Sequence, residues 1–263
     1  MKRVIMVAVA LIMAANSALA FAPFGHHTIA ALADKYLTDK AKNYVKTILN
    51  SDMVKQSVWL NSLRGKEETA YTKEWHFFVL DANGKSTTTN ENDGIVQLEK
   101  AIDVLRNRAN HSAEEVNVAL KSVIHLVADM HCLSHIYIDG IEATRDFEFE
   151  NWNEADGKAS KTWKSKWYNV WERTYINRYT LFSPQYYAND IDIFARDLRA
   201  EYEKGTPRFW VENSGEDVVR ALKHFNTGAP VPTRVVQLHE FNHTKCMAKA
   251  AYRLAALLNE IFK

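Results

Sequence analysis

Several things are scarce in this sequence, and each shortage narrows the reading. Its 263 residues hold two cysteines, Cys132 and Cys246. Two are too few for a disulfide framework to carry the fold, and the sequence leaves open whether they pair. The formal net charge is +1, which excludes a strongly basic polyanion binder but leaves room for a small nucleic-acid site. After the first twenty residues no segment is apolar enough to span a membrane. There are no repeats, low-complexity tracts or Gly/Ser linkers. Strand signals are scarce as well: "WHFFVLDANGKST", with a turn at Asn83-Gly84, is one short candidate. What remains fits one large all-α domain of multiple helices with little β structure.

The opening "MKRVIMVAVALIMAANSALA" combines a basic start, a short apolar run and small residues at Ala18 and Ala20. This predicts a secretory signal over residues 1–20, cleaved after Ala20, and a domain over 21–263 that is secreted or periplasmic. An uncleaved anchor is the alternative. No cysteine follows the cleavage point, so a lipid anchor is not supported.

Helical periodicity runs through the rest. "HHTIAALADKYL" and "DKAKNYVKTIL" read as short amphipathic helices, and Ile95, Leu98, Ile102 and Leu105 lie on one face of the next. Ser112 followed by Glu115 is a capping box opening a helix whose buried stripe is Leu120, Val123, Val127 and Met130. "PQYYANDIDIFARDLRAEYEKG" reads as a single helix stopped by Gly205 and Pro207, and "KCMAKAAYRLAALLNEIF" as another near the C-terminus. The polar stretch 139–166 reads as a long surface loop.

Two groups of residues carry chemistry. His239, Glu240 and His243 spell HEFNH, a match to the H-E-x-x-H pattern of zinc proteases. The third-ligand context is missing, because Cys246 and Lys249 stand where the long form of that motif needs Gly and His. His239 and His243 are therefore expected to be surface residues leading into the last helix. In "IHLVADMHCLSH", His125 and Asp129 are one helical turn apart and His135 lies just beyond. That spacing suits two ligands on one ion, although a helix also carries such pairs as solvated contacts. His27, His131 and Asp139 are spare donors, expected to be exposed or hydrogen-bonded.

A wider set of residues falls in order around that helix. It comprises Phe21 and His26 behind the cleavage point, Trp59-Leu60-Asn61, Trp75-His76-Phe77, "HLVADMHCLSH", Tyr168 with Trp171-Glu172, and the closing "YRLAALLNEIF". The set resembles the zinc-dependent superfamily that holds the single-strand nucleases of fungi and plants and the bacterial phospholipases C. The resemblance implies a domain built around a metal cluster and a secreted phosphodiesterase that prefers single-stranded nucleic acid or nucleotides. It implies no stable membrane association and no protein partner, so a monomer. It also implies up to three Zn²⁺, held by Phe21 (through its free α-amino group and carbonyl), His26, Asn61, His76, His125, Asp129, His135, Tyr168 and Glu172. Asp129 and Asn61 are the expected catalytic positions, and Phe77 would stack a base.

The chain departs from the family pattern at several of these points. Asn61 replaces a carboxylate and Tyr168 a histidine, so fewer than three ions are expected. Glu172 replaces an aspartate, as in the phospholipase branch. A Gly-Gly-Asn segment is not recognisable after His135, and Val79 stands where the nucleases carry an acid. Two other readings follow from these departures: a phospholipase C, and a non-catalytic member that binds metal or phosphate.

Overall fold

A computed structural model describes residues 21–141, 146–153, 158–226 and 229–263. Residues 1–20, the expected signal, lie outside the described residues, as do 142–145 of the stretch searched for the Gly-Gly-Asn segment.

Helices form over the amphipathic stretches at 26–49, 94–106 and 112–130 and near the C-terminus. Helix α1 runs Ala22–Lys35, α2 Asp39–Leu49 and the single turn α3 Met53–Gln56. Helix α4 covers Gly94–Arg106 and buries the expected stripe of Ile95, Leu98, Ile102 and Leu105. Helix α5, Ala113–Asp129, opens with the Ser112/Glu115 capping box in both directions. Loss of that cap would cost about 1 kcal/mol. From Ser122 to Asp129 every residue of α5 is buried, so its last two turns lie inside the protein with neighbours on all sides. It packs between α4 and the 29-residue helix α10, Thr233–Ile261, while α1 lies against α10 and α7, Pro184–Ala195.

Three sequence expectations need correction. The helix expected over 184–205 breaks after Ala195 into a 3₁₀ turn, Arg196–Leu198, and a short α8, Arg199–Tyr202. No glycine or proline marks that break. Pro207, read as a stop, sits at the first turn of a further helix, α9, Pro207–Phe225, whose Thr206 cap accepts the Phe209 N–H. Proline is tolerated there because the missing N–H would have had no partner anyway. The stretch expected as a surface loop contains an antiparallel ribbon of β3, Asp146–Asn153, and β4, Lys158–Lys166, with a bulge at Asn151/Trp152. Phe147 and Phe149 turn inward from it, and Phe149 stacks on Trp163 at 4.3 Å.

The other sheet is small and bears on the site. Strand β1, Phe78–Leu80, pairs in parallel with β2, Ile136–Ile138, with Phe78 opposite Ile136. The Asn83-Gly84 turn forms, with Gly84 at φ 75°, but it does not make a hairpin. A parallel register that sets Phe78 beside Ile136 also sets the preceding residues side by side. His76 and Phe77 thereby meet His135.

Candidate metal centre

The buried end of α5 organises the site. His125 and Asp129 project from its last turn, and the chain then closes through a 3₁₀ turn, Leu133–His135, which returns His135 to the same region. His76 ends a long 3₁₀ segment, Glu67–His76, and His26 comes from α1. Gly25 permits the tight entry into α1: a Cβ there would meet Phe21 Cβ at 2.7 Å and Ile176 Cδ1 at 3.0 Å. Glu172 lies in a π-helical turn, Val170–Thr174, after the helical turn α6, Trp167–Asn169. Such wide turns recur at functional sites.

Two clusters result. In the first, three histidines face Asp129. His76 Nδ1 stands 2.8 Å and His125 Nε2 3.2 Å from Oδ2, and His26 Nε2 stands 3.3 Å from Oδ1. His125 Nε2 and His76 Nδ1 are 3.2 Å apart. The tautomers follow from the partners. His125 donates its Nδ1–H to the Ser57 carbonyl at 2.6 Å, which leaves Nε2 as a lone pair facing the cluster. Arg64 donates its Nε–H to His76 Nε2 at 3.3 Å, so the hydrogen of His76 sits on Nδ1 and points at Asp129 and His125. Burial lowers the pKa of His26 to about 4 and that of His76 to about 3. Burial pushes Asp129 up, but its three histidine partners outweigh that and hold it well below the usual carboxylate range.

In the second cluster three donors converge on one oxygen. Glu172 Oε1 is 2.8 Å from His135 Nε2, 3.2 Å from Cys132 Sγ and 3.0 Å from Ser134 Oγ. His135 fixes its other nitrogen by donating Nδ1–H to the His76 carbonyl. Burial would lower its pKa, but the adjacent Glu172 carboxylate reverses the sign and raises it. Cys132, His135 and Glu172 form one set of mutually close ligand atoms, and His26, His125 and Asp129 form another.

These donor sets fit a metal. For four-coordinate zinc, nitrogen and oxygen ligands stand about 3.4 Å apart, close to the spacings seen here. Polar atoms without partners mark the same places: both ring nitrogens of His26, Asp129 Oδ1 and Glu172 Oε2 are buried with no hydrogen bond. So are both amide atoms of Asn61, the Tyr168 hydroxyl, and the terminal nitrogens of Arg64. Unsatisfied polar atoms at this density in a native core call for an ion, a ligand or bound water, and the donor types here suit an ion.

The remaining expected residues divide as follows. Phe21 is buried, adopts a left-handed backbone, and accepts the Gly25 N–H on its carbonyl at 3.1 Å. Its ring packs edge-on against His243. Phe77 is 7 % exposed and stacked on His135 at 5.0 Å, so at most an edge of the ring is open to a substrate. Tyr168 lies 5.8 Å from the His135 ring and its hydroxyl is held protonated, with a pKa driven far up by burial and by Glu172. His131 is hydrogen-bonded to the Val127 carbonyl and to Arg253, as expected of a spare donor.

HEFNH is not at the surface. His239 and His243 are 1 % exposed inside α10, because the helix starts at Thr233 and carries the motif into the core. They do not act as a pair. His239 contacts His224 at 3.1 Å, whereas His243 donates to the Trp171 carbonyl at 3.0 Å. Glu240 accepts from the Tyr179 hydroxyl at 2.9 Å.

Sequence reading passed over two central side chains, Arg64 and Cys132. The signal for Cys132 was its place three residues after Asp129 and three before His135. Arg64 follows Asn61 by three residues but has no motif of its own.

The model of the S1/P1 nuclease family matches residues 21–263. The chain belongs to the S1/P1 nuclease family. No curated protein matches it. The family is one of zinc-dependent nucleases acting on phosphodiester bonds, and among the described residues the two clusters are groups that could hold such an ion. No helix among the described residues is long and apolar enough to cross a membrane.

Proposed function

We propose that this member of the S1/P1 nuclease family is an exported, zinc-dependent phosphodiesterase that prefers single-stranded nucleic acid. The observation that carries the reading is the convergence of His26, His76 and His125 on Asp129 beside a second cluster at Glu172, within a chain whose family match begins at Phe21. That first matched residue is also the one expected behind the signal cleavage. Cleavage there gives Phe21 a free α-amino group, which has a lone pair that an amide lacks.

His26, His76, His125, Asp129 and the Phe21 terminus would hold zinc on one side, and His135 and Glu172 on the other, with up to three ions and fewer expected because Asn61 is neutral. Bound zinc supplies Lewis-acid polarisation of a phosphoryl oxygen and a lowered pKa for water. The chain's own groups set the rest. Asp129 is the anionic centre that balances added positive charge. His76 would offer Nδ1 to an ion only with its hydrogen on Nε2, the nitrogen that now accepts the Arg64 Nε–H at 3.3 Å. Arg64 has both terminal nitrogens unpartnered, and this fork matches two non-bridging oxygens of a phosphodiester. Phe77 holds the His135 ring by stacking and, through its edge, borders the place where a base would lie.

The test is hydrolysis of matched single- and double-stranded oligonucleotides, and of a phosphatidylcholine, with zinc and with a chelator. The expected result is zinc-dependent cleavage, faster on single strands. Head-group release without oligonucleotide cleavage would replace this reading with a phospholipase C. Full zinc loading with no hydrolysis of any of the three would make the chain a non-catalytic binder.

A further inference from the structure

The second cluster is short of a ligand where the resemblance puts Tyr168. The Tyr168 hydroxyl makes no hydrogen bond to Glu172 or to any other described group, and its ring stands 5.8 Å from that of His135. Cys132, by contrast, is on the spot. Its Sγ lies 3.2 Å from Glu172 Oε1, and His135 Nε2 lies 2.8 Å from the same oxygen. Zinc bound tetrahedrally to sulfur, nitrogen and oxygen would separate sulfur from oxygen by about 3.6 Å and nitrogen from oxygen by about 3.4 Å. A shift of a few tenths of an ångström in each side chain would open the site to an ion.

We propose that Cys132 is a metal ligand: with His135 and Glu172 it completes a Cys-His-Glu site that does without Tyr168. This rests on the metal-centre reading above and deepens it. All three side chains are buried, so net charge decides whether an ion can stay. A divalent ion with Glu172 alone leaves one uncompensated positive charge in a low-dielectric interior. Adding a thiolate brings the set to zero, which lowers the cost of burial. On binding, the Cys132 sulfur–hydrogen bond and the His135 Nε2–H bond would break, both protons would leave to solvent, and the freed sulfur and nitrogen electron pairs would bond the metal. Ser134 acts as a positioning residue, since its hydroxyl donates to Glu172 Oε1 at 3.0 Å and lies 3.2 Å from Cys132 Sγ. A thiolate also sets the choice of metal, favouring zinc or cobalt and disfavouring Mg²⁺, Ca²⁺ and Mn²⁺, which prefer oxygen donors. Cys246 provides an internal control, being the other free, buried thiol, in the middle of α10.

The test uses the full mature chain, stripped and reloaded with Co²⁺ or Zn²⁺. Wild type should develop a sulfur-to-cobalt charge-transfer absorption in the near ultraviolet, and Cys246→Ser and Tyr168→Phe should keep it. Cys132→Ser should lose it and bind one ion fewer per chain. Cys132→His should recover the metal count without the sulfur band, which separates a lost ligand from a damaged fold. Cobalt-loaded wild type without the sulfur band, or a band that persists in Cys132→Ser, would overturn the assignment. These readouts do not depend on hydrolysis: a chain that binds cobalt through Cys132 yet cleaves no nucleic acid keeps this inference and sinks the nuclease reading.

Discussion

Replacing Asp129 by alanine removes the one group that touches three histidines at once, at 2.8, 3.2 and 3.3 Å. Without metal the loss is modest. The His76 Nδ1–H keeps only His125 as acceptor, and a lost hydrogen bond to a charged partner is worth about 1.5–3 kcal/mol. The folded-state pKa of Asp129 is depressed, so this contribution is present at neutral pH and disappears as pH falls below the unfolded carboxylate range. With metal the gap widens. An ion bound only to the folded state, at a free concentration about 1,000 times its dissociation constant, adds about 4 kcal/mol. In a domain of this size, 1 kcal/mol moves the melting temperature by about 2–4 °C. Zinc should therefore raise the wild-type midpoint by roughly 8–16 °C, and that of Asp129→Ala by only a small part of this. The assay is thermal unfolding of both proteins in chelator and in excess zinc, with metal counted by elemental analysis. If zinc raised the two midpoints equally, Asp129 would not be a ligand and the first cluster would be a hydrogen-bonded histidine core.

Four further outcomes are expected. Protein starting at Phe21 should bind more zinc than protein with one residue added before it; equal zinc contents would remove the terminus from the site. His239→Ala should lower stability, because the ring is buried, yet leave the zinc content unchanged; a lost ion would revive the protease reading. Asn61→Asp should speed cleavage of single-stranded DNA, whereas Tyr168→His should add little if Cys132 already completes its site, which kinetics of both singles and the double mutant would decide. Metal-free protein should lose stability on acidification: folded His26, His76 and His243 take up protons only near about 4, about 3 and about 4, whereas unfolded histidines do so near about 6.5. Between those values the unfolded state binds more protons, so urea midpoints in chelator should fall from about pH 7 to about pH 5. His135, raised by Glu172, opposes part of that fall, and its own contribution is lost as pH rises through its folded value. A midpoint that rose on acidification would refute the neutral assignments.

Local chemistry carried much of the structure into the sequence itself. The Ser112/Glu115 box, the α4 stripe and the His125/Asp129 spacing depend on neighbours within one or two helical turns, and each is where periodicity places it. The set of motifs from Phe21 to the last helix was enough to reach the family. Tertiary structure decided what depends on long-range proximity. Polar outward positions obscured the β3–β4 ribbon, although Asp146-Phe147-Glu148-Phe149-Glu150 alternates in the strand period. HEFNH is expected at the surface as the lead into the last helix, but α10 extends through it and the core of Trp171, Phe225 and Phe21 closes over both histidines. Arg64 and Cys132 have no motif that names them. Arg64 reaches the site by donating to His76 Nε2, and Cys132 by the parallel pairing of β1 with β2, which draws the His76 carbonyl onto His135, and by the π-helical turn that brings Glu172 to the end of α5. Spacing along a chain specifies which side chains share a helix face; which atoms from separate segments meet at one oxygen is set by packing.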